Sequence, residues 1–326
     1  MTETTPFFSV VVPTRNRVDW LRRCLQGIAE QTYDNYEVVI IDDGSDADVA
    51  EAYTAMTAEL GKRFRLIFAN SDSRHRMGPS AVRNWGIEQA RGEYIAFCDD
   101  DDYWIANDLL ATAATALKSN GADLFFSDQK AVSEDRTIYE SSFRRVRATL
   151  QESQRLSELD VYAIDATQML SFPDYAHLNI TIARKTLLDK TGRFWLETRY
   201  AEDVDLFVRL CDQAEGILFR PTVCSVHNAP MNHSRESASK AVGDVNRRLL
   251  EGSVYWHLLA VCKTDPALSY ASAALNANSK VLTEELEQAQ SPRAAAAVAR
   301  MAWGAQPTFK WGLYALLRSV QAWLKR

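Results

Sequence analysis

The chain has 326 residues, 47% of them hydrophobic and 25% charged, with a formal net charge of −6. That suits one large α/β core with an appendage, or two modest domains, and the acidic balance argues against a protein that coats nucleic acid, whose phosphates need a basic face. Five scattered cysteines, Cys24, Cys98, Cys211, Cys224 and Cys262, lack CxxC or Cys/His ligand spacing and read as reduced core thiols of a cytoplasmic protein, while the N-terminus MTETTPFF lacks a signal peptide's basic and apolar regions and no apolar run of about 18 residues predicts a membrane span.

In chain order, Phe8 to Val12 predicts a buried strand stopping at Pro13. Val18 to Glu30 predicts a helix, from Trp20, Leu21, Cys24, Leu25 and Ile28 at helical spacing. Glu37 to Ile41 is a β-branched strand running into Asp42-Asp43-Gly44-Ser45, and Asp48 to Leu60 is a helix stopped by Gly61. Arg65 to Ala69 predicts a third strand, Pro79 to Ala90 a helix and Tyr94 to Cys98 a fourth strand. Continuous apolar strands alternating with helices predict a parallel sheet covered on both faces, and such sheets bind ligands at the carboxyl ends of their strands. Three of these ends carry polar clusters: Pro13-Thr14-Arg15-Asn16, Asp42-Asp43-Gly44-Ser45 and the tetrad Asp99 to Asp102.

The tetrad sits between an apolar strand and the aromatic pair Tyr103-Trp104. Neighbouring carboxylates repel by roughly 1 kcal/mol in water and by about 4 kcal/mol at an effective dielectric of 20. The run therefore strains the fold unless a cation neutralises it, and Mn2+ or Mg2+ arriving with a substrate diphosphate is the candidate. Taken alone, an Asp run is more often a solvated acidic loop, and its place after a buried-type strand argues against that.

Further along, Asn107 to Ser119 predicts a helix and Asp123 to Ser127 a strand, while Gln129 to Leu159 is polar and carries little periodicity. Asn179 to Ala183 reads as a strand, Leu187 and Leu188 as part of a short helix, and Gly216 to Val226 as the strand that closes the sheet. Glu202 to Leu210 is amphipathic with acids in its first turn. From about Ser239 the chain is helical, with breaks at Pro266, Pro292 and Pro307. No acidic residue follows Glu287, whereas Arg293, Arg300, Lys310, Arg318, Lys325 and Arg326 are basic, and Phe309, Leu313, Leu316, Leu317, Val320, Trp323 and Leu324 recur at helical spacing. Residues 308–326 suit a lipid interface; a helix packed on the protein's own core, or on a second subunit of a homo-oligomer, fits as well.

Four pieces in order, over roughly Ser9 to Ser237, resemble the inverting family 2 glycosyltransferases of the GT-A fold: SVVVPTRNR leading to QTYDNYEVVIIDDGSD, then GPSAVRNWGIEQARGEYIAFCDDDDYW, then ARKTLLDKTGRF with YAEDVDLFVRL, and finally VHNAPMNHS. One piece recurs by chance; four on the elements the fold requires do not. The resemblance implies a GT-A nucleotide-diphospho-sugar transferase fold, with a Rossmann-like, mostly parallel sheet between helices over 1–238 (1–104 the nucleotide-binding half, 105–238 the acceptor-binding half) and a helical C-terminal extension over 239–326. It assigns Pro13, Arg15 and Asp43 to the nucleotide base, Arg83 and Asn84 to the base or diphosphate, and Asp100 to the ribose. The D-x-D pair becomes Asp99 and Asp101, with Asp101 the direct metal ligand and His227, or in reserve His233, completing the shell. Two residues before His227, where the family carries arginine, this chain has Ser225.

Glu202-Asp203 resembles the family's ED pair, in which Asp203 would be the general base; alone, these acids would merely complement a helix dipole. Base on one side and metal on the other imply a single displacement with inversion. Gly192-Arg193-Phe194-Trp195-Leu196 departs from the family's GGFDE and bears on the acceptor pocket. The implied activity is metal-dependent transfer of a sugar from a nucleotide-sugar, first of all a UDP-sugar, to a glycan or lipid-linked acceptor in bacterial surface polysaccharide synthesis. The implied place is the cytoplasm, peripherally at the inner membrane face. A sugar-phosphate nucleotidylyltransferase would need a glycine-rich loop after the first strand, yet no glycine precedes Gly27. A non-catalytic glycan-binding protein would not need the acidic sites, and a dinucleotide dehydrogenase would need GxGxxG.

Overall fold

The computed structural model describes residues 5–69, 77–133, 136–156, 159–229, 244–305 and 307–324. The first half alternates strand and helix: β1 (Phe8–Thr14), α1 (Val18–Ala29), β2 (Tyr36–Asp42), α2 (Ala47–Leu60), β3 (Phe64–Phe68), α3 (Pro79–Gln89) and β4 (Tyr94–Phe97). The next part is less regular, with β5 (Tyr103–Trp104), α4 (Leu109–Asn120), β6 (Leu124–Ser133), β7 (Arg136–Tyr139), α5 (Arg144–Thr149), β8 (Tyr162–Ile164), α6 (Ala166–Met169), β9 (Thr181–Arg184), α7 (Lys185–Thr191), α8 (Glu202–Gln213) and β10 (Ile217–Asn228). Four helices follow: α9 (Asp244–Val261), α10 (Asp265–Gln288), α11 (Pro292–Ala305) and α12 (Phe309–Leu324).

The main sheet runs β3-β2-β1-β4-β9-β6-β10-β5. Its first four strands are parallel, and Phe8 lies opposite both Tyr36 and Tyr94, so β1, β2 and β4 end on one rim. Side chains alternate across β1: Val10 and Val12 join a core under α1 and α4, whereas Val11 faces a second core with Ile87 and Phe97. Full burial of each such side chain stabilises by about 1.5–3 kcal/mol. Helix α3 lies so close to the sheet that a Cβ at Gly86 would stand 2.5 Å from Val11 Cγ1; this approach carries Arg83, one turn earlier, to the strand ends.

The second half is mixed. β9 runs antiparallel to both β4 and β6, and β10 is parallel to β6. β10 does not close the sheet as its sequence suggests, because β5 covers its outer side, pairing Trp104 with Ser225 and Tyr103 with Val226. A two-residue strand leaves no periodic signal. The polar stretch after β6 is organised by buried Asp128, which accepts from Ser141 Oγ at 2.6 Å, Ser142 N at 2.9 Å and Arg147 Nη1 at 3.0 Å. All five cysteines are buried thiols outside any disulfide.

Helices α9 and α10 share the core beneath the sheet, through Val254, Leu258, Ala267 and Ala271. Helix α9 and the turn that joins it to α10 grip α8 by its carboxylates: Asp205 Oδ1 meets His257 Nδ1 at 2.7 Å, and Asp212 accepts from Lys263 N at 3.0 Å and Thr264 N at 2.8 Å. Among the described residues no helix is long and apolar enough to cross a membrane.

Candidate active site

The rim formed by β1, β2 and β4 collects the polar clusters. Pro13 stands opposite Ile41 in the β1–β2 ladder, and Arg15 Nε donates to Gly44 O at 3.2 Å. Asp42 is buried and accepts from Ser45 N at 3.1 Å; burial pushes its carboxyl above the ordinary range. The two oxygens of Asp43 accept from Met77 N at 2.9 Å and Gly78 N at 3.3 Å, which fixes the start of α3. Asn84 is turned elsewhere: its side chain exchanges two 2.9 Å hydrogen bonds with the backbone of Phe194, pinning the Gly192–Leu196 loop to α3.

The four aspartates share a turn, closed by Asp102 N to Asp99 O at 3.0 Å, yet each has different partners. Asp99 is gripped by Arg83, at 2.6 Å from Nη2 and 3.2 Å from Nε. Asp100 accepts from Thr14 Oγ1 and Arg17 Nη1, both at 2.8 Å, and the same Arg17 nitrogen reaches Asp101 at 2.8 Å. Asp102 accepts from Asn228 N at 2.8 Å and meets His227 Nδ1 at 3.1 Å and His177 Nδ1 at 3.4 Å.

The electrostatics follow from these partners. Burial, then repulsion by Asp102 and Asp100, pushes Asp101 up to about 7 despite Arg17. Burial would also raise Asp99, but Arg83, with His177 and His227 behind it, holds it below the usual carboxylate range. Burial works against a charged His227 ring, and Asp102 more than reverses it, lifting the imidazole to about 9.

The end of β4 meets the start of α8 through one guanidinium. Arg83 is buried, and while Nη2 holds Asp99 its Nη1 donates to Glu202 Oε1 at 2.9 Å. Burial raises Glu202 above its ordinary value; Arg83 pulls it back only in part, and Asp203 adds a smaller upward push. Asp203, beside it at the start of α8, is half-buried, and its carboxylate accepts from Val204 N at 2.9 Å.

Among the described residues, Asp102, His177 and His227 form the cluster with metal-ligand geometry, each offering one atom and all within 4.8 Å of one another. One carboxylate and two imidazoles fit Mn2+ better than Mg2+, which favours oxygen. Of the ligands expected from sequence, His227 lies within this cluster, whereas Asp99 is paired with Arg83 and Asp101 with Arg17. His233 lies outside the described residues.

Residues 9–178, just over half of the chain, match the sequence profile of glycosyl transferase family 2. The chain belongs to that family. A putative glycosyltransferase of Bacillus subtilis, EpsH, is 45% identical over 107 residues, which are 32% of this chain and 28% of that protein. Haloferax volcanii glycosyltransferase AglE is 30% identical over 136 residues, 39% of this chain and 42% of that one. The matched stretches thus span less than half of these relatives' length. Among solved structures, Staphylococcus aureus TarS 1–349 in complex with UDP-GlcNAc superposes with a TM-score of 0.61 at 19% identity, covering 90% of this chain and 80% of that one. Mannosyltransferase PcManGT from Pyrobaculum calidifontis, in complex with GDP-Man and Mn2+, superposes with a TM-score of 0.59 at 20% identity, covering 99% and 82%. At such identities the likeness is one of fold, the GT-A fold.

Three residues of this candidate site escape sequence reasoning as site residues: Arg17, Asp102 and His177. His177 caps the short 3₁₀ turn Leu178–Ile180, and Trp104 Nε1 holds that turn by donating to Asn179 O at 2.9 Å. β5 therefore gathers both imidazoles, His227 through its ladder with β10 and His177 through Trp104. Nothing local to a lone histidine signals this.

Proposed function

We propose that the protein is a metal-dependent, inverting glycosyltransferase that moves a sugar from a nucleoside diphosphate donor to a glycan or lipid-linked saccharide hydroxyl. Residues 1–238 would form the catalytic unit and 239–326 its extension. The carrying observation is Arg83, which joins Asp99 at the end of β4 to Glu202 at the start of α8, so that donor-side and acceptor-side acids share one cleft. Pro13, Arg15 and Asp43 take the base, Asp100 the ribose side, and Arg83 and Asp99 the wall beneath the diphosphate. Asp102, His177 and His227 would hold a divalent ion, Mn2+ before Mg2+, with Asp101 as the further carboxylate expected from sequence. Bound there, the ion supplies charge neutralisation for the leaving diphosphate.

Asp203 takes the proton of the acceptor hydroxyl as that oxygen attacks the anomeric carbon from the side away from the diphosphate. The nucleoside diphosphate leaves with the bonding electron pair, and the configuration inverts. Glu202, tied to Arg83, fixes the helix start on which Asp203 sits. The ligands named for TarS and PcManGT favour a nucleotide-sugar and leave UDP and GDP to be separated; a UDP-sugar is our first choice, with bacterial surface polysaccharide synthesis as the setting.

Thermal-shift titration of UDP, GDP and their sugars with and without Mn2+ identifies the donor, since a ligand of the native state raises apparent stability. With that donor, Asp203→Asn keeps the ligand-induced shift and reduces transfer at least about a hundredfold. Near-normal transfer by this variant would remove the proposed base, and release of pyrophosphate would point to a nucleotidylyltransferase.

A further inference from the structure

Helix α12 is mounted inside out. Its small and polar side faces the protein: Ala315 and Ala322 are buried, Arg318 Nη1 binds Glu287 Oε1 of α10 at 2.6 Å, and Arg300 Nη1 of α11 donates to Ser319 Oγ at 2.9 Å. Its large apolar side faces away. Phe309 is 90% exposed, Leu316 60% and Trp323 64%, in one row with Leu313, Leu317 and Val320. Met301 and Trp303 of α11 are exposed as well. A helix stabilised by burying its apolar stripe does the opposite, so packing on the protein's own core does not account for this one.

We propose that the α11–α12 hairpin is a docking face for an anionic lipid bilayer, on which α12 lies flat. Charge selects this occupant. Residues 288–326 carry six basic side chains, of which Arg318 is paired with Glu287, and no acidic one, while the rest of the −6 chain carries −12. An anionic surface attracts the hairpin and repels the body, so binding has one orientation. A second copy would set two cationic hairpins against each other, which opposes association. The tryptophans suit the headgroup zone, and no described helix is long and apolar enough to cross. This proposal stands apart from the donor and acceptor chemistry above.

The test is flotation of the full chain with vesicles of phosphatidylcholine alone and of phosphatidylcholine with phosphatidylglycerol in equal parts. Binding is expected on the mixed vesicles, weakening as salt is added. Lys310→Glu, which reverses one charge, should lower the partition coefficient at least about fivefold, the scale of one basic residue near such a surface. Leu316→Glu/Leu317→Glu should abolish flotation while leaving the far-UV circular dichroism and the nucleotide-induced thermal shift unchanged. Three results overturn the proposal: no flotation of the wild type at low salt, equal flotation on both compositions, or a dimer in sedimentation velocity that the double variant disperses, which would make the occupant a second copy.

Discussion

The sheet half and the C-terminal hairpin place their side chains in opposite ways. In the sheet half, charges are inside and matched: Arg83 lies buried between Asp99 and Glu202, and at the other end of the strands Glu37 accepts from Ser9 Oγ at 2.8 Å, Arg91 N at 2.7 Å, Arg65 Nη1 at 2.8 Å and Arg91 Nε at 2.9 Å. In the hairpin, small residues and an ion pair face inward while the apolar row is bare. The first region is built so that removing one charge exposes another. The second keeps its apolar surface out of the folding equilibrium, available for association.

The sharpest probe of this contrast is Arg83→Ala, which leaves two largely covered carboxylates, each 15% exposed, without their shared cation. Loss of one partner from a buried ion pair costs about 3–5 kcal/mol, so urea unfolding should show a drop of that order, with partial recovery in Arg83→Lys. A loss under about 1 kcal/mol would mean that the triad does not hold the cleft together.

Glu37→Gln should cost less, about 1–3 kcal/mol at neutral pH, because its two arginines are partly solvated. Its effect should also depend on pH. Burial pushes the Glu37 carboxyl up, but the hydrogen bonds from Arg91, Ser9 and Arg65 bring it below its ordinary value of 4.5. A carboxylate depressed by folding contributes its full stability above the unfolded value, and that contribution disappears as pH falls through the folded value. The gap between wild type and Glu37→Gln should therefore be constant near neutrality and narrow below pH 4.5. A gap that widened in acid would contradict the matched-charge account.

Smallest is Leu316→Glu, for which the unfolding free energy should change by less than about 0.5 kcal/mol, as for any surface substitution. A loss above about 2 kcal/mol would show that the row is packed after all, and the contrast would collapse.

What could be read from residues alone divides along the same line. The strands Phe8–Thr14, Tyr36–Asp42 and Tyr94–Phe97 and the helices between them are legible because burial on both faces and helical spacing are local properties. So is the aspartate tetrad, with its need for positive partners. Which partner each aspartate takes is not legible, since Arg17, Arg83, His177 and His227 arrive from four separate places. Asp128 is a similar case, its role resting on residues 13 to 19 positions further on. For α12 the spacing gives the apolar stripe correctly and says nothing of its direction, which depends on what α10 and α11 offer beneath it.

The short strand β5 carries one more implication. Because Tyr103 and Trp104 are locked in register with Val226 and Ser225 while β4 is locked to β1, the aspartates hang on a tether fastened at both ends. Adding or deleting a single residue there would shift the ladder by one and turn alternate side chains to the opposite face. The spacing between the two anchors is thus a fixed measure, and a change in the length of this segment would disturb the aspartates more than a change of side chain.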